Sequence, residues 1–400
     1  MDFHGKCLSC AQNWRYMAYI ARPRYEALVA DSVRRNPITA ILGPRQSGKT
    51  TLARMFAGGK DFAWFDLEDF TDEELLRESP MSVLSQQREL VVIDEIQRLP
   101  DLFKVLRVLV DRPDAGQRFL ILGSASPHLL KGASESLAGR VGFVDLAGFD
   151  LSEVGSEHLD RLWMRGGFPR SYLAADEEGS FLWRRDFIRT FLERDLRAMG
   201  IQVAPRAMSR FWIMLAHFHG NLWNGAALAS SLGISESSVR RYLDILTDAY
   251  MLRQLQPWHE NIKKRQVKSP KIFLRDSGLL HALLGIRGEE LYRHPQLGAS
   301  WEGFIIEQIL ALFPAQSTDA WFWRTHTGAE LDLLLMHEGR RLGFEIKRSE
   351  KPAISKSMRI VQEDLHLDQL FLIYPGKRRI EVERNVVFLP ARDLVGEFSV

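Results

Sequence analysis

The sequence predicts an α/β chain: a parallel, doubly wound sheet with a helical lid, then a winged-helix-like module, then a second α/β domain. Three observations predict it. Apolar runs of strand length alternate with helical stretches through residue 150. A glycine-rich turn, Gly43-Pro44-Arg45-Gln46-Ser47-Gly48-Lys49-Thr50, separates the first such run from a helix. The pattern then changes twice, to helix, glycine turn and helix after residue 204, and to short charged strands after residue 285. The expected divisions are 1–18, an extension; 19–150, the first α/β domain; 151–204, the lid; 205–285, the winged-helix-like module; and 286–400, the C-terminal domain.

Met1–Tyr16 has little periodicity and holds both cysteines, Cys7 and Cys10. A lone C-x-x-C is half a zinc site. A start at Met17 would give a more natural opening. Tyr25, Leu28 and Val29 recur at helical spacing within the charged stretch 24–35, which predicts an amphipathic helix.

Ile38–Leu42 reads as a buried strand and Thr51–Phe56 as a helix start. The turn between them fits G-x-x-x-x-G-K-[ST] at every fixed position, in the strand–loop–helix setting the motif requires. Gly43, Pro44, Arg45, Gln46, Ser47, Gly48, Lys49, Thr50 and Thr51 are expected to cradle phosphate. Glycines let N–H groups turn inward on phosphate oxygens, and a helix N-terminus adds partial positive charge. Lys49 is expected to reach the β- and γ-phosphates, and Thr50 to hold Mg²⁺ through its hydroxyl.

Phe62–Leu67 reads as the second strand and Leu75–Gln87 as a helix. Leu90–Ile93 is apolar throughout, as a strand buried on both faces should be. It ends in Asp94-Glu95, at the carboxyl edge where open α/β sheets bind ligands. Asp94 is expected in the Mg²⁺ shell. Glu95 is expected to polarise the attacking water, which points to hydrolysis. The next strand, from Arg118, ends in Gly123-Ser124-Ala125-Ser126. Ser124 and Ser126 either meet the γ-phosphate or its water, or cap the following helix. Arg140 precedes a strand at Val141–Leu146. It is either a surface residue or an arginine that stabilises γ-phosphate charge, in cis or from a neighbouring copy in a homo-oligomer. Residues 150–200 read as mostly helical, broken at Gly166-Gly167-Phe168-Pro169.

Ala226–Leu232, Gly233 and Glu236–Leu246, capped by Ser235, form a helix-turn-helix pattern. Val239, Leu243 and Leu246 turn Arg240 and Arg241 outward, where they meet DNA phosphate or else cover a module that only packs on protein. Lys263-Lys264-Arg265 and Lys268 fall where a basic wing would lie.

In the last hundred residues a helical stripe runs through Trp301, Phe304, Ile305 and Ile309, with Glu302 at its edge. Short strands follow at Trp321–Arg324, Glu330–Leu335 and Leu342–Lys347. Period two puts Glu345 and Lys347 on one face. Asp332 falls among apolar neighbours, where an unpartnered carboxylate is costly. An Asp, a Glu and a Lys meeting beside a sheet can hold Mg²⁺ and position a water. The alternative is a set of solvated strand charges.

Composition bounds these readings. Of 400 residues, 46% are apolar and 26% charged, the balance of a soluble globular chain. Lys and Arg number 53 against 51 Asp and Glu, a net charge of +2, so net charge alone implies neither a nucleic-acid nor a membrane partner. No apolar run approaches the roughly 18 residues of a membrane span, and the first thirty residues lack a signal-peptide core. Two cysteines make no disulfide framework, and a cytoplasmic location is expected.

The segments Gly43–Thr51, Ile93-Asp94-Glu95-Ile96-Gln97, Leu122–Ser126 and Leu137-Ala138-Gly139-Arg140 resemble a prokaryotic ATPase family of the AAA+ superfamily. The C-terminal region resembles the domain of unknown function joined to that ATPase, which is similar to the PD-(D/E)XK nuclease fold. Its pieces are Trp301-Glu302-Gly303-Phe304, Trp323-Arg324-Thr325, Glu330-Leu331-Asp332 and Glu345-Ile346-Lys347. The resemblance covers the chain from about Tyr19 onward. It implies an AAA+-like P-loop domain binding ATP with Mg²⁺. It also implies metal ligation by Asp332 and Glu345, with Lys347 as catalytic lysine and Glu302 as helix acid. The expected function is ATP hydrolysis coupled to a DNA-binding, nuclease-like C-terminal half. The alternatives are an ATP-gated metal-dependent nuclease and a nucleotide-dependent scaffold whose C-terminal domain only binds.

Overall fold

Strands that are apolar on both faces can be buried only between two layers of helix. The computed structural model shows that arrangement; it describes residues 20–86, 89–113, 116–124, 137–260, 264–313 and 320–398. The N-terminal extension with Cys7 and Cys10, together with Ser126 and Lys263, lies outside the described residues. Strands β1 (Ile38–Leu42), β2 (Phe62–Asp66), β3 (Leu90–Asp94), β4 (Arg118–Gly123) and β5 (Val141–Asp145) form a sheet in the order β2-β3-β4-β1-β5. Each pairing is parallel.

Alternate side chains of these strands enter two cores. Ile41, Val92, Leu120 and Leu122 meet Val29 of the helix Pro23–Arg35 and Leu52 and Phe56 of the helix Lys49–Ala57. Ala40, Leu42, Val91, Ile93 and Ile121 meet Leu76, Leu84 and Leu106 on the opposite face. The single helix expected over 75–87 is two, Phe70–Glu78 and Pro80–Ser85. Pro80 disfavours helical geometry at Ser79 and serves instead as the first residue of the second helix.

The helical region continues through Leu159–Arg165 and Glu177–Thr190 into one π-helical turn, Phe191–Asp195. Its residues divide between two further cores. Leu162, Trp163 and Tyr172 pack with Trp301, Phe304 and Ile305 of the C-terminal helix Leu297–Leu312. Phe187, Phe191 and Leu192 pack with Phe211, Trp212, Leu243 and Leu246.

The helix–turn–helix is Gly225–Leu232 and Glu236–Asp248. Gly233 turns at φ 69° and the Ser235 hydroxyl accepts from Ser238 N at 3.2 Å. Strands β6 (Asn221–Leu222), β7 (Leu252–Pro257) and β8 (Lys271–Leu274) pair antiparallel around it. Next come β9 (Ala320–Arg324), β10 (Glu330–His337), β11 (Arg340–Ile346), β12 (Gln369–Tyr374), β13 (Ile380–Glu383) and β14 (Val386–Pro390). All nine belong to one sheet, ordered β13-β14-β12-β11-β10-β9-β7-β8-β6. The join is β7 against β9, where Gln256 faces Trp321 and Pro257 faces Phe322. The sheet therefore crosses the division expected at 285/286. Among the described residues no helix is long and apolar enough to cross a membrane.

Candidate functional site

The glycine-rich turn leaves β1 through a gap only glycine fits. A Cβ on Gly43 would lie 2.0 Å from the carbonyl oxygen of Leu146. Gly48 then turns at φ 97°, in the left-handed region, and begins the helix Lys49–Ala57. Lys49 folds back into the turn and is buried. Its ammonium donates to Pro44 O at 2.9 Å, Ser124 Oγ at 3.0 Å and Gly43 O at 3.1 Å. Burial pushes it down to about 8, against the pull of Glu95 and Asp94. Ser47 Oγ is buried with no hydrogen-bond partner among the described residues, and Thr51 is half-buried in the first helical turn.

Sheet order places the remaining groups. β4 runs between β1 and β3, so Ser124, just past β4, falls between Lys49 and Glu95. Its hydroxyl donates to Glu95 Oε1 at 3.1 Å, and the Gln97 amide donates to Glu95 Oε2. Both oxygens of that carboxylate are therefore held. Thr50 Oγ1 donates to Asp94 Oδ2 at 2.8 Å. Burial pushes Asp94 up to about 6, and the bond from Thr50 partly opposes it. Glu95 adopts φ 54°, uncommon for a residue with a side chain. The structure thus brings together Lys49, Thr50, Asp94, Glu95 and Ser124 at one sheet edge.

Arg140 is not there. Its carbonyl accepts from Ile38 N, at the opposite end of β1 from the loop. Its guanidinium pairs with Asp111 at 2.6 Å. A five-residue strand spans roughly 17 Å, so Arg140 does not reach its own chain's loop, and the cis role is corrected.

Two arginines hold the loop instead, Arg22 from outside the motif and Arg45 from within it. Arg22 is buried and donates to Ser47 O at 3.0 Å and Gly148 O at 3.1 Å, while pairing with Glu153 at 2.5 Å. Burial pushes Glu153 up to about 7, against the pull of Arg22. Arg45, inside the loop, pairs with Glu68 and, at 2.5 Å, with Asp195 of the π-helical turn. Glu153 and Asp195 lie more than a hundred residues from the arginines they pair with, where spacing gives no signal. Only the Asp150-x-x-Glu153 capping box was visible locally.

The C-terminal acids do gather, with a cation among them that the sequence did not point to. Lys271 of β8 is buried, its ammonium 2.5 Å from Glu330, 3.0 Å from Glu302 and 3.8 Å from Asp332. Lys347, expected at the centre, is half-exposed and pairs with Glu345 Oε1 at 2.7 Å. Asp332 Oδ2 accepts from Ile346 N at 2.8 Å, while Glu345 Oε2 is buried without a hydrogen-bond partner among the described residues. Burial, with Asp332 alongside, pushes Glu302 up to about 7 and Glu345 up to about 8. Among the described residues no group of three or more His, Cys, Asp or Glu is arranged to hold a metal ion. Arg240 and Arg241 are exposed, Arg240 pairing with Asp244 at 3.2 Å.

Comparison with known proteins places these parts. Residues 35–155 match the family model described as an AAA domain. Residues 156–290 and 297–394 match two domains of unknown function, DUF8612 and DUF4143. Uncharacterized protein Rv2008c of Mycobacterium tuberculosis is 50% identical over 382 residues, covering 95% of this chain and 86% of that protein. Uncharacterized protein Mb2031c of Mycobacterium bovis matches to the same extent. Among solved structures, the Walker-type ATPase PABY2304 of Pyrococcus abyssi is 16% identical, with a TM-score of 0.48 over 66% of this chain and 96% of that one.

Proposed function

The chain belongs to one family with these mycobacterial proteins and carries an AAA domain; on that premise we propose that it binds ATP with Mg²⁺ at Gly43–Thr51 and hydrolyses it. One observation supports this most: the contact series Lys49–Ser124–Glu95 beside Thr50–Asp94. It puts a cation, a hydroxyl and two carboxylates at the end of the loop, one of the carboxylates with both oxygens held.

The residues fit the ligands. At Gly43 the backbone passes so close to Leu146 O that a Cβ would clash, which lets the loop make its turn, and Ser47 Oγ is buried without a hydrogen-bond partner among the described residues. Thr50 and Asp94 offer two oxygens, the small donor number Mg²⁺ takes when substrate phosphates complete its shell. Bound there, Mg²⁺ supplies charge neutralisation to the phosphate oxygens. Lys49 exchanges its two loop carbonyls for the β- and γ-phosphates. Glu95 takes a proton from the attacking water, while Ser124 and Gln97 fix its orientation. Arg22 holds the loop from behind through Ser47 O.

Phosphate release from ATP with Mg²⁺ tests the reading. The parental protein should turn over. Lys49→Ala should weaken nucleotide binding by about ten- to a hundredfold, since a charge-assisted hydrogen bond contributes about 1.5–3 kcal/mol. No release by the parental protein would overturn the proposal.

A finer reading couples this site to DNA and to the C-terminal acids. The exposed Arg240 and Arg241 on a capped helix support DNA contact. The unpartnered Glu345 Oε2 favours a divalent cation near Asp332 and Glu345 once Lys271 withdraws.

A further inference from the structure

A cavity of about 770 Å³ opens between the segment before β8 and the end of β9, away from the phosphate loop. Its lining includes Arg265, Lys268, Arg324, His259 and His326, with Leu222 as an apolar wall and, among the described residues, no carboxylate. The local backbone fixes the first two. Residue 266 bridges Thr325, Val267 N donates to Arg324 O at 3.0 Å, and His326 N donates to Arg265 O at 3.0 Å. Gln266 Oε1 accepts from Trp323 Nε1 at 2.8 Å, so its side chain is taken up by protein. Arg265 and Lys268 are exposed and make no ion pair among the described residues. Among the described residues Arg324 pairs with Glu330, at 3.5 Å.

We propose that this cavity binds a single strand of nucleic acid. Arg265 and Lys268, without an ion pair among the described residues, share one concavity with Arg324 on a chain of net charge only +2, a local device rather than a general basic surface. The volume lies within the roughly 300–1,000 Å³ of sites that enclose ligand-sized groups. It is large enough for a few nucleotides of one strand. Arg265, Lys268 and Arg324 face phosphates, while the imidazoles of His259 and His326 offer flat faces for unstacked bases. An acidic peptide would use the cations and leave the rings idle, so a nucleic-acid strand is the better fit. The site is separate from Arg240 and Arg241 and does not depend on ATP hydrolysis.

The test is anisotropy of a labelled oligothymidylate with the full chain, without nucleotide, across a salt series. Parental protein should bind. Arg265→Ala/Lys268→Ala should flatten the log–log salt slope by about 1.4, since each phosphate contact on a single strand contributes about 0.7. Affinity near 0.1 M salt should fall on the order of twentyfold. Both side chains are exposed, so melting temperature should not move, and Arg265→Glu/Lys268→Glu should abolish binding with the fold intact. No binding by parental protein, or an unchanged slope in the alanine variant, overturns the proposal. So does displacement by polyglutamate as effective as by unlabelled oligonucleotide at equal charge, which would assign the cavity to an acidic protein.

Discussion

Lys271 Nζ lies 3.0 Å from Glu302 Oε1, and the contact joins a strand of the middle module to the helix carrying a C-terminal acid. Breaking a buried ion pair by removing one partner leaves uncompensated charge and costs about 3–5 kcal/mol. Lys271→Met should therefore lower unfolding free energy by that order in denaturant titrations. If the acids can take a divalent cation, Mn²⁺ should restore part of the loss in the variant and do little for the parental protein. Equal stabilisation of both by Mn²⁺ would show that the ammonium does not occupy the cation's place.

Glu345 gives a pH signature. Burial holds its proton up to about 8, against an ordinary 4.5. Between those values the folded chain keeps a proton that the unfolded chain releases, so rising pH removes stability through this window. Glutamine does not titrate. Glu345→Gln should gain on the parental protein as pH climbs from 4.5 to 8, then hold level. A difference that stays constant across the series would mean the carboxyl is already ionised there.

Glu95→Gln should keep ATP binding and lose turnover by about 10²–10⁴-fold, because the amide cannot accept a proton. Labelled-nucleotide binding and phosphate release, measured on one preparation, separate the two effects. Parental turnover in the variant would move the base elsewhere.

Arg140→Ala should leave turnover within about twofold at protein concentrations where copies are separate, since the residue sits across the sheet, paired with Asp111. A loss seen only at high concentration would mean that it acts on a neighbouring copy's nucleotide. A loss at every concentration would contradict its placement.

The nucleotide site was legible where chemistry is local. Gly43–Thr50 and Asp94-Glu95 are short motifs whose flanking strands declare themselves, and Ser124 follows from being the first polar residue past a strand. What sequence could not supply was lateral order. Ser124 bridges Lys49 and Glu95 only because β4 inserts between β1 and β3. Arg22 and Arg45 find Glu153 and Asp195 across 131 and 150 residues. Lys271 was hidden for a related reason: it belongs by sequence to one module and by packing to the next. Glu302, Asp332 and Glu345 were found through strand and helix periodicity, but periodicity does not say which counter-charge will sit among them.

The join between β7 and β9 bears on inheritance. A recombination event at the seam between the two C-terminal family matches, residues 290 to 297, would strip β9 of its neighbour. It would leave an open, apolar strand edge of the kind that invites pairing between molecules. It would also pull Lys271 out from among three carboxylates. Gene fusions and domain shuffling in this family should therefore keep β7 and Lys271 on the same chain as β9 and Glu302.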